Sequence, residues 1–279
     1  MTIVILGAGE IGAAIARQLA VTDAGRRIVL VDEAASVAAG KALDIRQAMP
    51  VEPSAAALAG SGDESVVVAA TWIVIADRHA GGEWQDEAGL ALLRRVTGLN
   101  QTAPILCAGA AQAGLIERGV TELGLGRLRL FGSAPEALRS AVTGLTALEA
   151  GCAPRDVSLM VLGRPPAATI VPWTEASIAG QALTSVLPPP AITRLDQRLA
   201  RLWPPGPLTL ASAATRVIRS ATTRAPHILS CMVALAQGEG HAGRAAALPV
   251  QAGPGGIARL LPPAVSSRDR VRLDVALGA

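Results

Sequence analysis

The 279-residue sequence predicts an α/β protein: a doubly wound parallel sheet over residues 1–150, then a smaller α+β half over residues 151–279. Three observations carry this. Short apolar runs alternate with amphipathic helical stretches through the first half, the pattern of strands buried on both faces between crossover helices. A glycine-rich turn joins the first apolar run to the first helical stretch. Past residue 150 the order changes to proline-broken helices and clustered strand-like runs.

Taken in order, Thr2–Leu6 reads as a buried strand and Glu10–Ala20 as a helix, with Ile11, Ile15 and Leu19 along one face. Ile28–Val31 is a second strand and Val37–Ala48 a second helix. Trp72–Ala76 is a continuous apolar strand, Glu83–Leu99 a helix and Ile105–Ala108 a strand. Ala111–Leu123, Leu128–Phe131 and Pro135–Ala150 add helix, strand and helix. In the second half Val157–Leu162 and Thr169–Val171 read as strands. The stretch Ala176–Ala211 is helical but interrupted by Pro188-Pro189-Pro190 and by Pro204-Pro205-Gly206-Pro207, since proline cannot continue a helix. A helix over Ser212–Ala221, three strands of an antiparallel sheet (Ile228–Leu235, Ala245–Val250, Gly256–Leu260) and a last helix over Ser266–Leu277 complete the chain.

Composition excludes several classes of function. With 51% hydrophobic and 17% charged residues the chain folds around a core. Aromatics are 2%, with a single Phe and no Tyr, which leaves no stacking platform for single-stranded nucleic acid. The net charge of +3 comes almost wholly from scattered Arg, Lys41 being the only Lys, so no nucleic-acid partner is expected. Cys107, Cys152 and Cys231 are far apart and fit neither a disulfide framework nor a metal site. No apolar run is long enough to span a bilayer. No membrane partner is expected, and the location expected is cytoplasmic.

Gly7-Ala8-Gly9-Glu10-Ile11-Gly12 fits G-x-G-x-x-G between the first strand and first helix. In such a turn Gly7 allows the tight bend, Gly9 lets the backbone approach a pyrophosphate, and Gly12 lets helix and strand pack closely. The helix N-terminus offers N–H groups and positive dipole to phosphates, so Glu10 and Ile11 also belong to the cofactor-binding segment. Asp32, at the end of the second strand and 20 residues after Gly12, is placed to accept from ribose hydroxyls and to repel a 2′-phosphate. The expected cofactor is NAD, on a Rossmann-type domain over residues 1–150, with a substrate-type domain over residues 151–279.

The sequence resembles the malate/lactate dehydrogenase family. The resemblance rests on Val4–Gly12, on Val29-Leu30-Val31-Asp32 and on Gly40-Lys41-Ala42-Leu43-Asp44, similar to the family's G-K-A-L-D segment. It continues in Asp156–Gly163, like the strand before the catalytic G-H-G-D loop, and in Leu248-Pro249-Val250 followed by Gly255-Gly256-Ile257. It implies a His general acid/base oriented by an Asp, with arginines that polarise the substrate carbonyl and clamp its carboxylate.

Several of those positions hold other residues. Where the His should follow Gly163 the chain reads Arg164-Pro165-Pro166. The two mobile-loop arginines correspond to Gly81 and Glu87, and the Asn after the fifth strand to Gly109. The family's G-x-x-x-D-x-x-R pattern is similar to Gly132–Arg139, with Glu136 in place of Asp. The resemblance makes Arg139 the substrate-carboxylate clamp; Arg164 reads as a second cation nearby for a small anionic ligand. Ser133-x-x-Glu136 also reads as a helix capping box. Catalytic candidates are Arg139, Glu136 and His79, which lies in the mobile-loop region; His227 and His241 read as surface residues. Two functions remain open: an NAD-binding relative with lost or altered chemistry, kept for binding or assembly, and an active oxidoreductase on a small 2-hydroxy or 2-oxo acid using other residues. The resemblance also implies a homodimer through the helix bearing Lys41–Gln47, with Ala42, Ile45 and Met49 as its apolar positions.

Overall fold

Apolar runs on both faces of a sheet need cover on both sides, and the chain supplies it with crossover helices. The computed structural model describes residues 1–22, 25–51, 56–223 and 227–278. The first half runs β1 (Thr2–Leu6), α1 (Glu10–Val21), β2 (Arg27–Val31), α2 (Ala35–Ala48), β3 (Ala57–Ser61) and β4 (Trp72–Ile75). A short hairpin, β5 (Asp77–Arg78) and β6 (Gly82–Glu83), precedes α3 (Asp86–Leu99). Then come β7 (Ile105–Cys107), α4 (Ala113–Thr121), β8 (Leu130–Gly132) and α5 (Ala134–Ala150). The second half has β9 (Val157–Ser158), β10 (Leu162–Arg164), β11 (Ala168–Ile170), β12 (Ser177–Ile178) and β13 (Gln181–Ala182). Helices α6 (Leu183–Val186), α7 (Pro189–Arg198) and α8 (Pro207–Thr222) follow, then β14 (Ile228–Ala234), β15 (Ala245–Gly253), β16 (Gly256–Leu260) and α9 (Ser267–Leu277).

Strands β3-β2-β1-β4-β7-β8 are all parallel, so their carboxyl ends share one edge of the sheet. The strands β14, β15 and β16 do not form a separate sheet: β14 joins β8 at Met232 opposite Gly132, β15, β10 and β11 extend the same sheet outward, and β16 pairs with β15, while β9, β12 and β13 make a small antiparallel sheet of their own. Alternation along β1 divides the core. Ile3 and Ile5 point into a cluster with Leu30, Val74 and Phe131, and Val4 and Leu6 into one with Val29, Ile73 and Ile75.

Sequence and structure part company at four places. Strand β3, Ala-Leu-Ala-Gly-Ser, is unannounced because it lacks β-branched residues and has only Leu58 as a large apolar side chain. Helix α3 starts at Asp86 rather than Glu83, which is held in the hairpin. The expected strand Val157–Leu162 is split into β9 and β10, which pair in different sheets. The proline-broken stretch becomes β12, β13 and separate helices, with Pro189 and Pro207 opening α7 and α8, where a missing N–H costs nothing.

On α2, Ala42 and Ile45 are buried in the monomer's own core with Met49 packed beside them, so they do not form an outer apolar face. Leu43 is the large apolar residue that α2 exposes. No described helix is long and apolar enough to cross a membrane.

With so few aromatics in the sequence, Trp72 of β4 and Phe131 of β8 meet edge to face in one cluster, ring centres 6.2 Å apart. Phe131 is fully buried. Phe131→Ala is expected to destabilise the protein by about 3–5 kcal/mol, read as a lower urea midpoint at unchanged slope.

Candidate functional site at the carboxyl edge of the sheet

The glycine turn leaves β1 at Gly7, which adopts φ 116°, a conformation that favours glycine. A Cβ on Gly12 would overlap the Gly7 carbonyl, so close packing of α1 on β1 depends on that glycine as well. The turn is tied on three sides. The Gly7 N–H donates to the Val31 carbonyl at 2.7 Å. The Asp32 carboxylate accepts from Ala8 N–H at 2.8 Å, Ala34 N–H at 3.0 Å and His79 N–H at 3.0 Å. Lys41 Nζ donates to the carbonyls of Ala8 at 2.6 Å and Gly9 at 3.0 Å. The G-K-A-L-D segment is thus bound to the turn by its lysine. Burial alone would raise the Asp32 pKa, but those three amides and the nearby His79 outweigh it and hold the carboxyl below its ordinary range.

The fourth tie was not foreseen. Asp77, first residue of the hairpin after β4, lies across the start of α1. Its carboxylate accepts from Glu10 N–H at 2.8 Å and Gly12 N–H at 3.0 Å, and its carbonyl accepts from Gly9 N–H at 2.8 Å. A Cβ on Gly9 would overlap that carboxylate. At the other end of the hairpin, Glu83 accepts from Ala110 N–H at 3.0 Å and Ala111 N–H at 2.7 Å, in the turn from β7 to α4. Burial holds the Glu83 carboxyl above its usual range, against the pull of those amides and with a further push from Asp77. Between the two, the Arg78 guanidinium stacks on Trp84, 4.6 Å from the ring centre.

The glycine turn, the α1 N-terminus and Asp32 are the parts that would hold the adenosine diphosphate portion of NAD. They fit that group in backbone form and position. The amides of Gly9, Glu10 and Gly12 are already bonded to Asp77, and the cavity bounded by Gly7, Asp32 and Trp84 is about 30 Å³. That is room for a water molecule or two, not for a nucleoside.

At the other end of the edge, Glu136 and Arg139 stand one turn apart on α5. Glu136 is buried, accepts from Ser230 N–H at 2.9 Å and pairs with Arg139 at 3.2 Å and Arg216 of α8 at 3.5 Å. Burial outweighs both cations and the amide and leaves its pKa raised. The capping box does not form: the Ser133 hydroxyl is buried without a partner, and the Glu136 carboxylate reaches β14 instead of the Ser133 N–H. Arg139 also donates to the Ile228 carbonyl at 2.8 Å. A cavity of about 290 Å³ is lined by Glu136, Arg139, Thr143, Arg155 and Arg216. Three guanidiniums against one carboxylate make it electropositive. Arg155 and Arg216 could be found only through the fold, because neither lies in a motif.

The remaining candidates sit elsewhere. Arg164 ends β10 and pairs with Glu117 of α4 at 3.8 Å, held apart from the partners of Arg139. Pro165 and Pro166 occupy the turn into β11. Glu87 is exposed and bonds Arg118 on α4 at 2.7 Å. His79, placed in sequence toward the nicotinamide side, has its backbone on Asp32 instead, at the adenosine end, with its residue exposed. His227 and His241 are exposed, as expected. No cluster of metal-binding side chains occurs among the described residues.

Residues 1–86 match the family model described as the NAD binding domain of lactate/malate dehydrogenase. The malate dehydrogenase of Thioalkalivibrio sulfidiphilus is 30% identical over 70% of this chain and 67% of its own length. That of Desulforudis audaxviator is 26% identical over 99% of this chain and 94% of its own. Among solved structures, malate dehydrogenase from Aeropyrum pernix superposes with a TM-score of 0.88 at 16% identity, covering 99% of this chain and 95% of that one. Lactate dehydrogenase from Cryptosporidium parvum, solved with lactic acid and NAD, gives 0.87 at 19% identity over 99% and 94%. With this fold, this glycine turn and these relatives, the chain belongs to the malate/lactate dehydrogenase family, and NAD is the cofactor its N-terminal domain type serves.

Proposed function

We propose that this protein is a member of the family that keeps the NAD-type scaffold and has lost hydroxy-acid dehydrogenation, serving instead in binding or assembly. The observation that carries this is the turn between β10 and β11, where Arg164-Pro165-Pro166 stands in place of the general acid/base. A proline ring neither accepts nor donates a proton. Gly81 offers no cation for a developing alkoxide, and Glu87, turned toward Arg118, offers none either. NAD, when bound, supplies the hydride acceptor, but the position that should take the hydroxyl proton holds a proline. Loss of positioned acid–base catalysis removes about 10²–10⁴ in rate, and loss of an electrostatic stabiliser a comparable factor.

The cavity lined by Arg139, Arg155 and Arg216 suits a small carboxylate-bearing anion, since guanidinium forks match carboxylates. In this reading Arg139 holds the anion and Glu136 holds Arg139. The protein is a cytoplasmic homodimer, pairing through the outer face of α2, where Leu43 is 49% exposed beside the polar rim of Arg46 and Gln47.

Reduction of oxaloacetate or pyruvate with NADH is expected to be undetectable, or several orders of magnitude below that of the Thioalkalivibrio relative assayed in parallel. Turnover comparable to that relative, abolished by Arg139→Ala, contradicts the reading. NADH is expected to bind ahead of NADPH, because the negative charge of Asp32 at the end of β2 would repel a 2′-phosphate; equal affinity in calorimetry contradicts that role. Light scattering is expected to give a dimer mass that Leu43→Glu converts to monomer; a monomer at every concentration contradicts the pairing.

A further inference from the structure

The hairpin between β4 and α3 is bound at both ends by carboxylate-to-amide hydrogen bonds, and both sets of amides lie at the carboxyl edge of the parallel strands. Asp77 satisfies the N–H groups of Glu10 and Gly12, with its own carbonyl on Gly9. Glu83 satisfies those of Ala110 and Ala111. A helix N-terminus attracts an anion because its first amides lack acceptors and the backbone dipoles add there. Here that anion belongs to the chain itself. A diphosphate cannot reach the same amides while Asp77 is on them, and the roughly 30 Å³ left beside Trp84 and Asp32 admits no adenosine.

The closed hairpin is also under opposing influences. Asp77 and Glu83 are direct cross-strand partners, an unfavourable pairing of like charges. The Arg78 Nε and Trp84 Nε1 donors are buried without acceptors. Opening relieves the repulsion and returns both donors to water.

We propose that the Asp77–Glu83 hairpin is an internal competitor for the dinucleotide: it occupies the phosphate and adenosine positions of the cleft, and a nucleotide diphosphate binds only by displacing Asp77 from the start of α1. This rests on the NAD reading above. The α1 amides are exchanged between two anions, one on the chain and one on the ligand, so affinity is set by the difference between them. Lys41 and Asp32 hold the turn itself in shape in both states, through Ala8 and Gly9.

The test is calorimetric titration with ADP-ribose, the portion of the dinucleotide that meets these groups, into the unmodified protein, Asp77→Ala and Asp77→Asn. Both variants are expected to bind tighter than the unmodified chain by about tenfold or more, equivalent to about 1.4 kcal/mol. Asp77→Asn keeps side-chain volume and one acceptor for the α1 amides, so it reports on the charge should the alanine variant fail to fold. The second readout is Trp84, which is 5% exposed with the hairpin closed. Its emission, taken as the difference between the unmodified chain and Trp84→Phe, is expected to move to longer wavelength when ADP-ribose saturates the protein. Affinities within twofold across the three proteins, or saturation with Trp84 emission unmoved, overturn the competitor and leave the NAD reading standing. No binding of ADP-ribose to any of the three overturns both.

Discussion

A helix that begins directly after a glycine turn presents amide groups that nothing within the helix can satisfy, and the arrangement of this protein's cleft follows from what satisfies them. The chain brings Asp77 from the end of β4 onto Glu10 and Gly12, and Asp32 from the end of β2 onto Ala8. Because β1, β2 and β4 are adjacent and parallel, the residues leaving their carboxyl ends meet at one point. Two acidic side chains so placed are both drawn to the same cluster of N–H groups. Charge-assisted hydrogen bonds of this kind are roughly twice as strong as neutral ones. The position of the hairpin, the start of α3 at Asp86 and the small size of the adenosine-side cavity are consequences.

The far end of the edge obeys a different electrostatic balance. Glu136 is buried among Arg139, Arg216 and the Ser230 amide, and burial still dominates its pKa. A buried carboxylate with two guanidiniums is costly to take from water and strongly destabilising to break once formed. Its effect is to fix the direction of Arg139, which also bonds β14 through Ile228. The α5–α8–β14 contact is thereby held together beside an electropositive cavity, whatever ligand that cavity takes. The nucleotide end is closed by the chain's own carboxylates and the other end is lined by guanidiniums, so an incoming anion meets a competitor at the first and cations at the second.

Most of the fold was legible in the residues. Strands such as Thr2–Leu6 and Trp72–Ile75 are uninterrupted apolar runs, and the glycine spacing fixed where α1 starts. The place of Asp32 beside the turn was legible because it follows a strand at a set distance from the glycines; its bonds to the Ala8, Ala34 and His79 amides were not. Strand β3 was not, because its residues have little strand preference and it forms only by pairing along β2. Glu83 read as helical because Glu83–Leu99 has helical periodicity; its bonds to Ala110 and Ala111, remote in sequence, hold it in the hairpin. Asp77 escaped for a related reason. A lone acid after a strand carries no motif, and its partners lie 65 and 67 residues earlier. The signal that was present is topological: a residue leaving the neighbouring parallel strand must pass over the glycine turn. The capping box at Ser133 was the converse error, a local pattern overruled when Glu136 found a buried partner on β14.

The account stands on the glycine-turn amides being closed by the chain's own carboxylates, and amide hydrogen exchange measures that directly. In the ligand-free protein the amides of Gly9, Glu10 and Gly12 are predicted to be protected to the degree of the β1 amides, and those of Glu10 and Gly12, held by the Asp77 side chain, to lose that protection in Asp77→Ala. Exchange of these three amides at the rate of an open, solvent-facing turn in the unmodified protein would contradict it.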